Sequence, residues 1–427
     1  MNHMRHIVST FVGKGVRLVA RVRGGGSALP GLVVEKIDSN FVARTLSSLP
    51  RGVVIISGTN GKTTTTKMVV SLLESQGLKV FTNKTGSNFT RGVAAALLAE
   101  IDLRGKLRAD IAVLELDEAH AVHFVRQVAP KYSLFLNVMR DQLDRFGEID
   151  HTAQLLHTVA QATTGTVVVN RDDPRLVSKT FVADLSAKVV TYGVSEQLLS
   201  QLPSDDALHG TMSTKKVSSL RNEDVELRRV EGDDISLLYD ETIHDVTMKL
   251  KGIYNMQNAA GAVALVRTIM GNDTQDDKLI SALAGVTPAF GRGEEISVGG
   301  VPCELVLVKN PAGFRLGLAS FDATDHATMI AINDDYADGR DMSWLWDVSF
   351  TSLDSVDMVS GVRAYDMALR LEYDQVAVDA VETDLTTALQ LFLSTNKHTA
   401  KRIFCTYTAM LMIRKELGKY GEVERVL

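Results

Sequence analysis

Val53-Val54-Ile55-Ile56-Ser57-Gly58-Thr59-Asn60-Gly61-Lys62-Thr63-Thr64-Thr65 is the stretch from which the rest of the chain is read. Four β-branched apolar residues in succession predict a strand buried on both faces. The glycines that follow let the backbone bend until its N–H groups face one point, and a helix opening there adds positive potential. The helix is expected from about Lys62 to Ser75, with Gly77 stopping it. In such a strand–turn–helix unit, Gly58, Thr59, Asn60, Gly61 and Thr64 would wrap a nucleotide's phosphates. Lys62 would reach the β/γ-phosphates, and Thr63 would place its hydroxyl on Mg²⁺. The common form of the loop has a glycine five residues before Gly61. Here Ile56 stands at that position, so the loop is a variant. A plain glycine-rich turn leading into an N-capped helix would leave the Gly-Lys-Thr succession without a reason.

Outward from this loop, strands and helices alternate. Strands are expected at Lys79–Phe81, Ile111–Leu116, Ser133–Val138, Thr166–Asn170 and Val189–Tyr192. Such alternation implies a mostly parallel sheet covered on both faces. Residues 195–248 are more polar, with alternating Asp224-Val225-Glu226-Leu227-Arg228, and read as a small β excursion or a variable insertion. Helical spacing returns at Tyr254–Met270. A second alternation follows, with strands at Met329–Asn333, Asp357–Ser360, Gln375–Val378 and Arg402–Cys405. Helices are expected between and after them, at Ala364–Leu371, Asp384–Leu393 and Thr408–Leu417. The expected organisation is an N-terminal helix and linker over 1–49, an ATP-binding domain over 50–292 and a smaller α/β domain over 293–427.

The chain has 427 residues, 46 Lys plus Arg against 52 Asp plus Glu, and a net charge of −6. The length suits about two to three domains. The composition is that of a folded chain, and the mild acidity argues against a nucleic-acid partner. A run of about 18 apolar residues, the length that spans a membrane, is missing from the sequence. Cys303 and Cys405 are the only cysteines, which excludes a disulfide framework and a four-cysteine zinc site and fits a reducing, cytoplasmic setting. The first acidic residue is Glu35. Before it come Arg5, Lys14, Arg17, Arg21 and Arg23, and Met4, Ile7, Val8, Phe11, Gly15, Leu18, Val19 and Val22 recur at helical spacing. An amphipathic helix packed on the core is the expectation, ahead of a helix lying on a membrane surface.

Further constellations join the loop. Glu115 stands at the end of a predicted strand, where open α/β sheets hold their ligands, and a carboxylate there can bind Mg²⁺ on ATP phosphates. Asp117 and Glu118 follow it. Asn137 to Gly147 follows another strand end. Asn255 and Asn258 are three apart near a helix start. Arg292, in Phe290-Gly291-Arg292-Gly293-Glu294, falls in a loop between the expected domains, where an arginine can clamp phosphate on closure.

In order and spacing, Gly58 to Thr65, Asn137…Asp141…Leu143-Asp144, Gly252…Asn255…Asn258 and Phe290-Gly291-Arg292…Glu294 resemble the Mur ligase family. That resemblance implies a central P-loop domain with a mostly parallel sheet and a Rossmann-like C-terminal α/β domain. It also implies ATP-driven conversion of a carboxylate to an acyl phosphate that an amine attacks. By it, Lys62 and Thr63 bind phosphates and Mg²⁺, Glu115 binds Mg²⁺, Asn258 lies beside the nucleotide, and Arg292 contacts ATP at the hinge.

Asn333 to Asp347 resembles the MurT branch of that family. So do Thr82-Asn83…Gly86-Ser87-Asn88…Arg91-Gly92, Leu116-Asp117-Glu118-Ala119 and Thr406-Tyr407-Thr408-Ala409-Met410. Only about fifty residues precede the P-loop strand, as in that branch, which has no separate N-terminal substrate domain. The resemblance implies work with a GatD-like glutaminase subunit in a heterodimer, amidating the α-carboxyl of D-glutamate in lipid II to D-isoglutamine. It further implies that an aspartate of this chain completes the partner's Cys–His pair, by triad logic. Asp338, Asp341 and Asp347 are the candidates, and spacing does not choose among them. Many members of the branch carry a four-cysteine zinc ribbon in the middle domain, which two cysteines cannot build, so zinc is not expected. An amino-acid-adding ligase of folylpolyglutamate or cyanophycin type is the competing enzyme, and a non-catalytic ATP-binding scaffold the competing non-enzyme. Against the first stand the Asp338–Asp347 stretch with its two tryptophans and the short N-terminal part. Against the second stand intact Lys62, Thr63 and Glu115.

Overall fold

The computed structural model describes residues 2–22, 29–83, 88–140, 149–202, 220–321 and 325–421. Three helices open the chain: α1 (Asn2–Val22), α2 (Leu29–Ile37) and α3 (Phe41–Leu46). Then come β1 (Val53–Ser57), α4 (Lys62–Ser75), β2 (Val80–Thr82), α5 (Thr90–Glu100), β3 (Ile111–Glu115), α6 (Glu118–Val125), β4 (Tyr132–Phe135), α7 (Ile149–Ala162), β5 (Thr166–Asn170) and β6 (Lys188–Val194). Strands β7 (Val225–Glu231), β8 (Asp234–Tyr239) and β9 (Thr242–Thr247) precede α8 (Ile253–Met270) and α9 (Asp276–Gly285). The nine strands form one sheet in the order β2-β3-β1-β4-β5-β6-β7-β8-β9. Pairing is parallel from β2 to β7 and antiparallel through β8 and β9.

The described part of 195–248 is therefore not an appendage. Val225–Thr247 completes the sheet as a meander, and Val225, Leu227, Ile235 and Leu237 are buried in the main core. Its alternating pattern was visible in the sequence, but the parallel pairing of β7 on β6 was not. Residues 203–219 lie outside the described residues.

β1 is central and wholly buried. Its side chains split by the period of two: Val54 and Ile56 pack with Met68 and Leu72 of α4 and Val263 of α8, while Val53 and Ile55 pack with Phe41 and with Leu97 of α5. The chain adds β2 and β3 on one side of β1, then crosses to β4 on the other. That reversal opens a crevice at the carboxyl ends of β1, β3 and β4, where ligands sit in such sheets.

The second sheet has the order β10-β11-β17-β12-β14-β16. Its elements are β10 (Arg292–Val298), β11 (Val301–Leu307), α10 (Pro311–Ser320), β12 (His326–Ala331), β13 (Ser355–Val356), β14 (Met358–Ser360), α11 (Ala364–Tyr373), β15 (Ala377–Val378), β16 (Val381–Glu382), α12 (Leu385–Ser394), β17 (Ala400–Cys405) and α13 (Tyr407–Leu417). Gln375–Val378, expected as a strand, supplies β15, which pairs with β13 in a separate two-stranded ladder. Arg292 does not sit in a linker loop. It is the first residue of β10, whose antiparallel hairpin with β11 starts the second sheet. The sequence reading missed that hairpin, although Gly299-Gly300 between two seven-residue runs is a hairpin signal.

α1 packs on α2 and α5 rather than on either sheet. It does so through small residues. A Cβ on Gly13 would lie 2.5 Å from Val34 and 2.6 Å from Leu98, so glycine is required for this approach. Among the described residues, no helix is long and apolar enough to cross a membrane.

Candidate nucleotide site and its neighbours

The loop after β1 is fastened to the segment after β4. The Asn60 N–H donates to Asn137 Oδ1 at 2.9 Å, and Asn137 Nδ2 returns a bond to Asn60 O at 3.0 Å. The Thr59 N–H donates to Asn137 O at 3.0 Å, and the Thr59 hydroxyl accepts from the Met139 N–H at 3.1 Å. Gly61 then opens α4 with φ of 90°, a conformation a side chain would strain. With glycine at the N-cap, no side chain competes for the first N–H groups of α4. Those groups and the helix dipole are what an anion would meet. A Cβ on Gly61 would lie 2.4 Å from Asn258 Nδ2. The same observation places the Asn258 amide, from the second turn of α8, directly beside the loop.

Lys62 is buried, and its ammonium donates to Gly58 O at 2.7 Å. It also lies 3.1 Å from Asp117 and 3.6 Å from Glu118. Burial works to raise the Asp117 carboxyl, but Lys62 and Lys309 outweigh it and hold the group below the usual carboxylate range. The ammonium thus curls over its own loop, beside the position a phosphate would take.

Glu115 ends β3 and is buried. It accepts from the Thr63 hydroxyl at 2.8 Å and from Asn88 Nδ2 at 2.9 Å. Asn83 pins the Glu115 backbone by two bonds, at 2.8 and 2.9 Å. Asn88 Oδ1 is buried beside this corner and has no hydrogen-bond partner among the described residues. A hydroxyl, a carboxylate and an orphaned amide oxygen form a hard-oxygen donor set, which suits Mg²⁺ completed by phosphates and water. Asn83 and Asn88 were legible only as parts of a motif. Their roles need the approach of β2 to β3, which spacing does not give. Residues 84–87 and 141–148, and with them Gly86, Ser87, Asp141, Leu143 and Asp144, lie outside the described residues.

The second sheet reaches the loop through a residue the sequence reading passed over. Asn310 Nδ2 donates to Asn60 Oδ1 at 3.2 Å, while Asn310 Oδ1 caps α10 through the Gly313 N–H at 2.7 Å. Its only sequence signal is Asn followed by Pro at a helix start. Arg292 lies close enough to Tyr254, near the start of α8, to pull down a phenol that burial raises.

The three aspartates part company. Asp338 is buried and accepts from the Thr408 N–H at 2.8 Å and the Thr408 hydroxyl at 2.5 Å. Burial raises its carboxyl against those bonds. Asp341 accepts from the Ser343 N–H at 2.9 Å, and Ser343 holds its carboxyl below the usual range. Asp347 is exposed and pairs with Arg140 at 2.9 Å. Arg140 follows Met139, which is bonded to Thr59. Asp347 is therefore tied to the rim of the nucleotide loop while still facing solvent.

Cys303 of β11 and Cys405 of β17 are buried in one core of the second sheet, four positions apart in register, with Cys303 opposite Lys401 and Cys405 opposite Leu307. Burial pushes the Cys303 thiol up to about 12, and the Cys405 thiol higher still. Neither can act as a nucleophile on glutamine.

Comparison with known proteins accords with this geometry. Residues 56–266 match the Mur ligase middle domain, and residues 307–410 match the MurT ligase C-terminal domain. The chain is 29% identical to the lipid II isoglutaminyl synthase (glutamine-hydrolyzing) subunit MurT of Streptococcus pneumoniae, over 97% of this chain and 98% of that one. It is also 29% identical to the subunit of the same name from Staphylococcus aureus, over 90% and 91%. Its fold is similar to that of the MurF ligase from Thermotoga maritima in complex with ADP, with a TM-score of 0.65 at 17% identity, covering 90% of this chain and 84% of that one.

Proposed function

This chain belongs to the Mur ligase family, in its MurT branch, and from that premise we propose that it is the ATP-using subunit of a glutamine-hydrolysing lipid II isoglutaminyl synthase. The observation that carries the proposal is one continuous arrangement. A phosphate loop that carries buried Lys62, with Thr63 bonded to Glu115, is joined through Asn310 and Arg140 to a MurT-type domain that presents Asp347 to solvent.

The chemistry follows from the substrate. A carboxylate is a poor electrophile. Its oxygen attacks the γ-phosphorus of ATP, ADP leaves, and the resulting acyl phosphate carries a good leaving group. Ammonia then attacks the acyl carbon and phosphate departs, leaving the carboxamide of D-isoglutamine. The N–H groups of Gly61 to Thr64 and the Lys62 ammonium would hold the phosphates, with Asn258 beside the nucleotide and Arg292 reaching it from the second sheet. Thr63, Glu115 and Asn88 would hold Mg²⁺, which neutralises phosphate charge when bound.

Ammonia is mostly protonated near neutral pH, so it is best released where it is used. Neither buried cysteine can release it, so a GatD-like glutaminase subunit is the source in this reading. Asp347, exposed where Asp338 is buried and Asp341 is committed to Ser343, is the aspartate suited to orient that partner's histidine. Because lipid II is anchored in a bilayer, the protein would work at the membrane surface.

Reconstitution tests this. The chain, its glutaminase partner, ATP, Mg²⁺ and lipid II should convert the stem peptide's glutamate to isoglutamine with glutamine or with ammonium as donor, read by mass spectrometry. Turnover that needs a free amino acid, and yields a lengthened peptide, would replace the proposal with an amino-acid-adding ligase.

A further inference from the structure

Helix α1 is turned the opposite way from a helix that merely covers a core. Its packed side carries Ser9, Gly13 and Ala20, with the Ser9 hydroxyl donating to Asp38 at 3.2 Å. Its open side carries Phe11, Leu18 and Val19, which are 53%, 66% and 53% exposed. Phe11, Gly15, Leu18 and Val19 are spaced i, i+4, i+7 and i+8, so they form one stripe along the helix. The sequence reading assigned that stripe to the core. The structure gives the core the small residues instead.

A further exposed apolar residue lies on a turn beside α1. The Asp102 carboxylate accepts from the N–H groups of Arg104 and Lys106, both at 2.9 Å, and holds a tight turn. That turn presents Leu103, 61% exposed, among exposed Arg104, Lys106 and Arg108. Lys14 of α1 donates to Ile101 O at 2.7 Å and Leu98 O at 3.2 Å, which fixes the turn beside the helix. Arg17 and Asp102 both act on the Lys14 ammonium, so the basic edge of α1 and the basic turn are neighbours. Arg5, Arg21 and Arg23 add charge in sequence, with no acidic residue before Glu35.

We propose that the open face of α1, with the Leu103 turn, is a docking surface for an anionic lipid bilayer, on which the helix lies flat. Apolar side chains rimmed by cations are what the interface between acyl chains and acidic headgroups accepts. A symmetric contact with a second copy would bring together two faces that each carry Arg17, Arg104, Lys106 and Arg108, and this like-charge approach disfavours it. The inference goes beyond the ligase reading, since lipid binding needs neither ATP nor a substrate.

Sedimentation of the full chain with vesicles tests it. Phosphatidylcholine vesicles containing phosphatidylglycerol should bind about tenfold more protein than phosphatidylcholine alone, and added salt should release it. Leu18→Glu with Val19→Glu should cut binding about tenfold or more. Both positions are exposed, so the thermal melting curve should be unchanged, and amidation of a soluble stem peptide should continue. Arg104→Glu with Lys106→Glu should cut binding about tenfold while leaving the apolar stripe intact. Absence of vesicle binding, or equal binding by the Leu18/Val19 variant, overturns the proposal. So does a concentration-dependent dimer that the same variant abolishes, because the face would then belong to a second copy. Vesicle binding without amidation would sink the ligase reading alone.

Discussion

The loop Gly58–Thr63 and the stretch Asp338–Asp347 both carry the residues that chemistry would need, yet they are built differently. The first is closed by its own chain: Asn137, Asn258, Asn310 and Glu115 each touch it, and Lys62 bonds back to Gly58 within it. The second is anchored at one end and open at the other. Asp338 is locked under Thr408, whereas Trp346 and Asp347 face solvent. A site that closes on itself can work alone once its ligand arrives. A site whose last carboxylate points outward is, in the proposed reading, completed by the partner subunit.

Lys62→Ala tests the closed site most severely. Loss of the ammonium removes the main positive charge at the loop and leaves Glu118 buried without it. Turnover should fall by about 10³-fold with either nitrogen donor, measured as isoglutamine formed from ammonium and from glutamine. Equal rates with wild type would show that phosphate is bound elsewhere.

Asp347→Asn should separate the two regions. Glutamine-dependent turnover is expected to drop by about 10³-fold, by the cost of losing the carboxylate of a triad. Ammonium-dependent turnover should stay within about twofold, since Asp347 pairs with Arg140 at the rim rather than with the phosphate loop itself. A parallel loss of both activities would make Asp347 part of the nucleotide site and erase the distinction.

The support beneath the closed site titrates. Asp173 accepts from the Val138 N–H at 2.6 Å, behind the segment that holds the loop. Burial pushes its carboxyl up to about 6, against three backbone N–H groups that favour the ionised form. A raised carboxyl binds its proton more tightly in the folded state, so its contribution is full below the ordinary carboxylate value and is lost as pH rises to about 6. Denaturant midpoints from pH 4 to 7 should therefore fall more steeply in wild type than in Asp173→Asn. Identical slopes would place this carboxyl in the ordinary range.

Asn310→Ala should have the smallest effect. It removes the cap of α10 and the bond to Asn60, at a cost of about 1 kcal/mol. A melting temperature lower by a few degrees, with KM for ATP raised more than kcat falls, would mark it as a strut between the sheets. A change in kcat alone would give it a part in the chemistry.

Much of this was legible in the sequence because it is local. Strand β1, the turn and α4 follow from four β-branched residues, two glycines and a lysine within thirteen positions, and the structure has α4 over Lys62–Ser75 as expected. Glu115 could be placed because a strand end is itself a local feature. Asn83, Asn88, Asn137 and Asn310 could not be given roles, since each acts across strands or sheets and an asparagine alone is an ordinary loop residue.

Arg292 and α1 show the same limit from the other side. A glycine-flanked arginine reads as linker until β11 is found to pair with its strand, and an apolar stripe reads as core until the core proves to be full. The sequence by itself determined the alternation of strands and helices, the phosphate loop and the family it resembles, because periodicity and contiguous motifs are written in neighbouring residues. Only the tertiary structure decided which of three aspartates faces outward and which side of the first helix is left in water. Burial is a property of what packs against a residue, and that depends on segments far away in the chain.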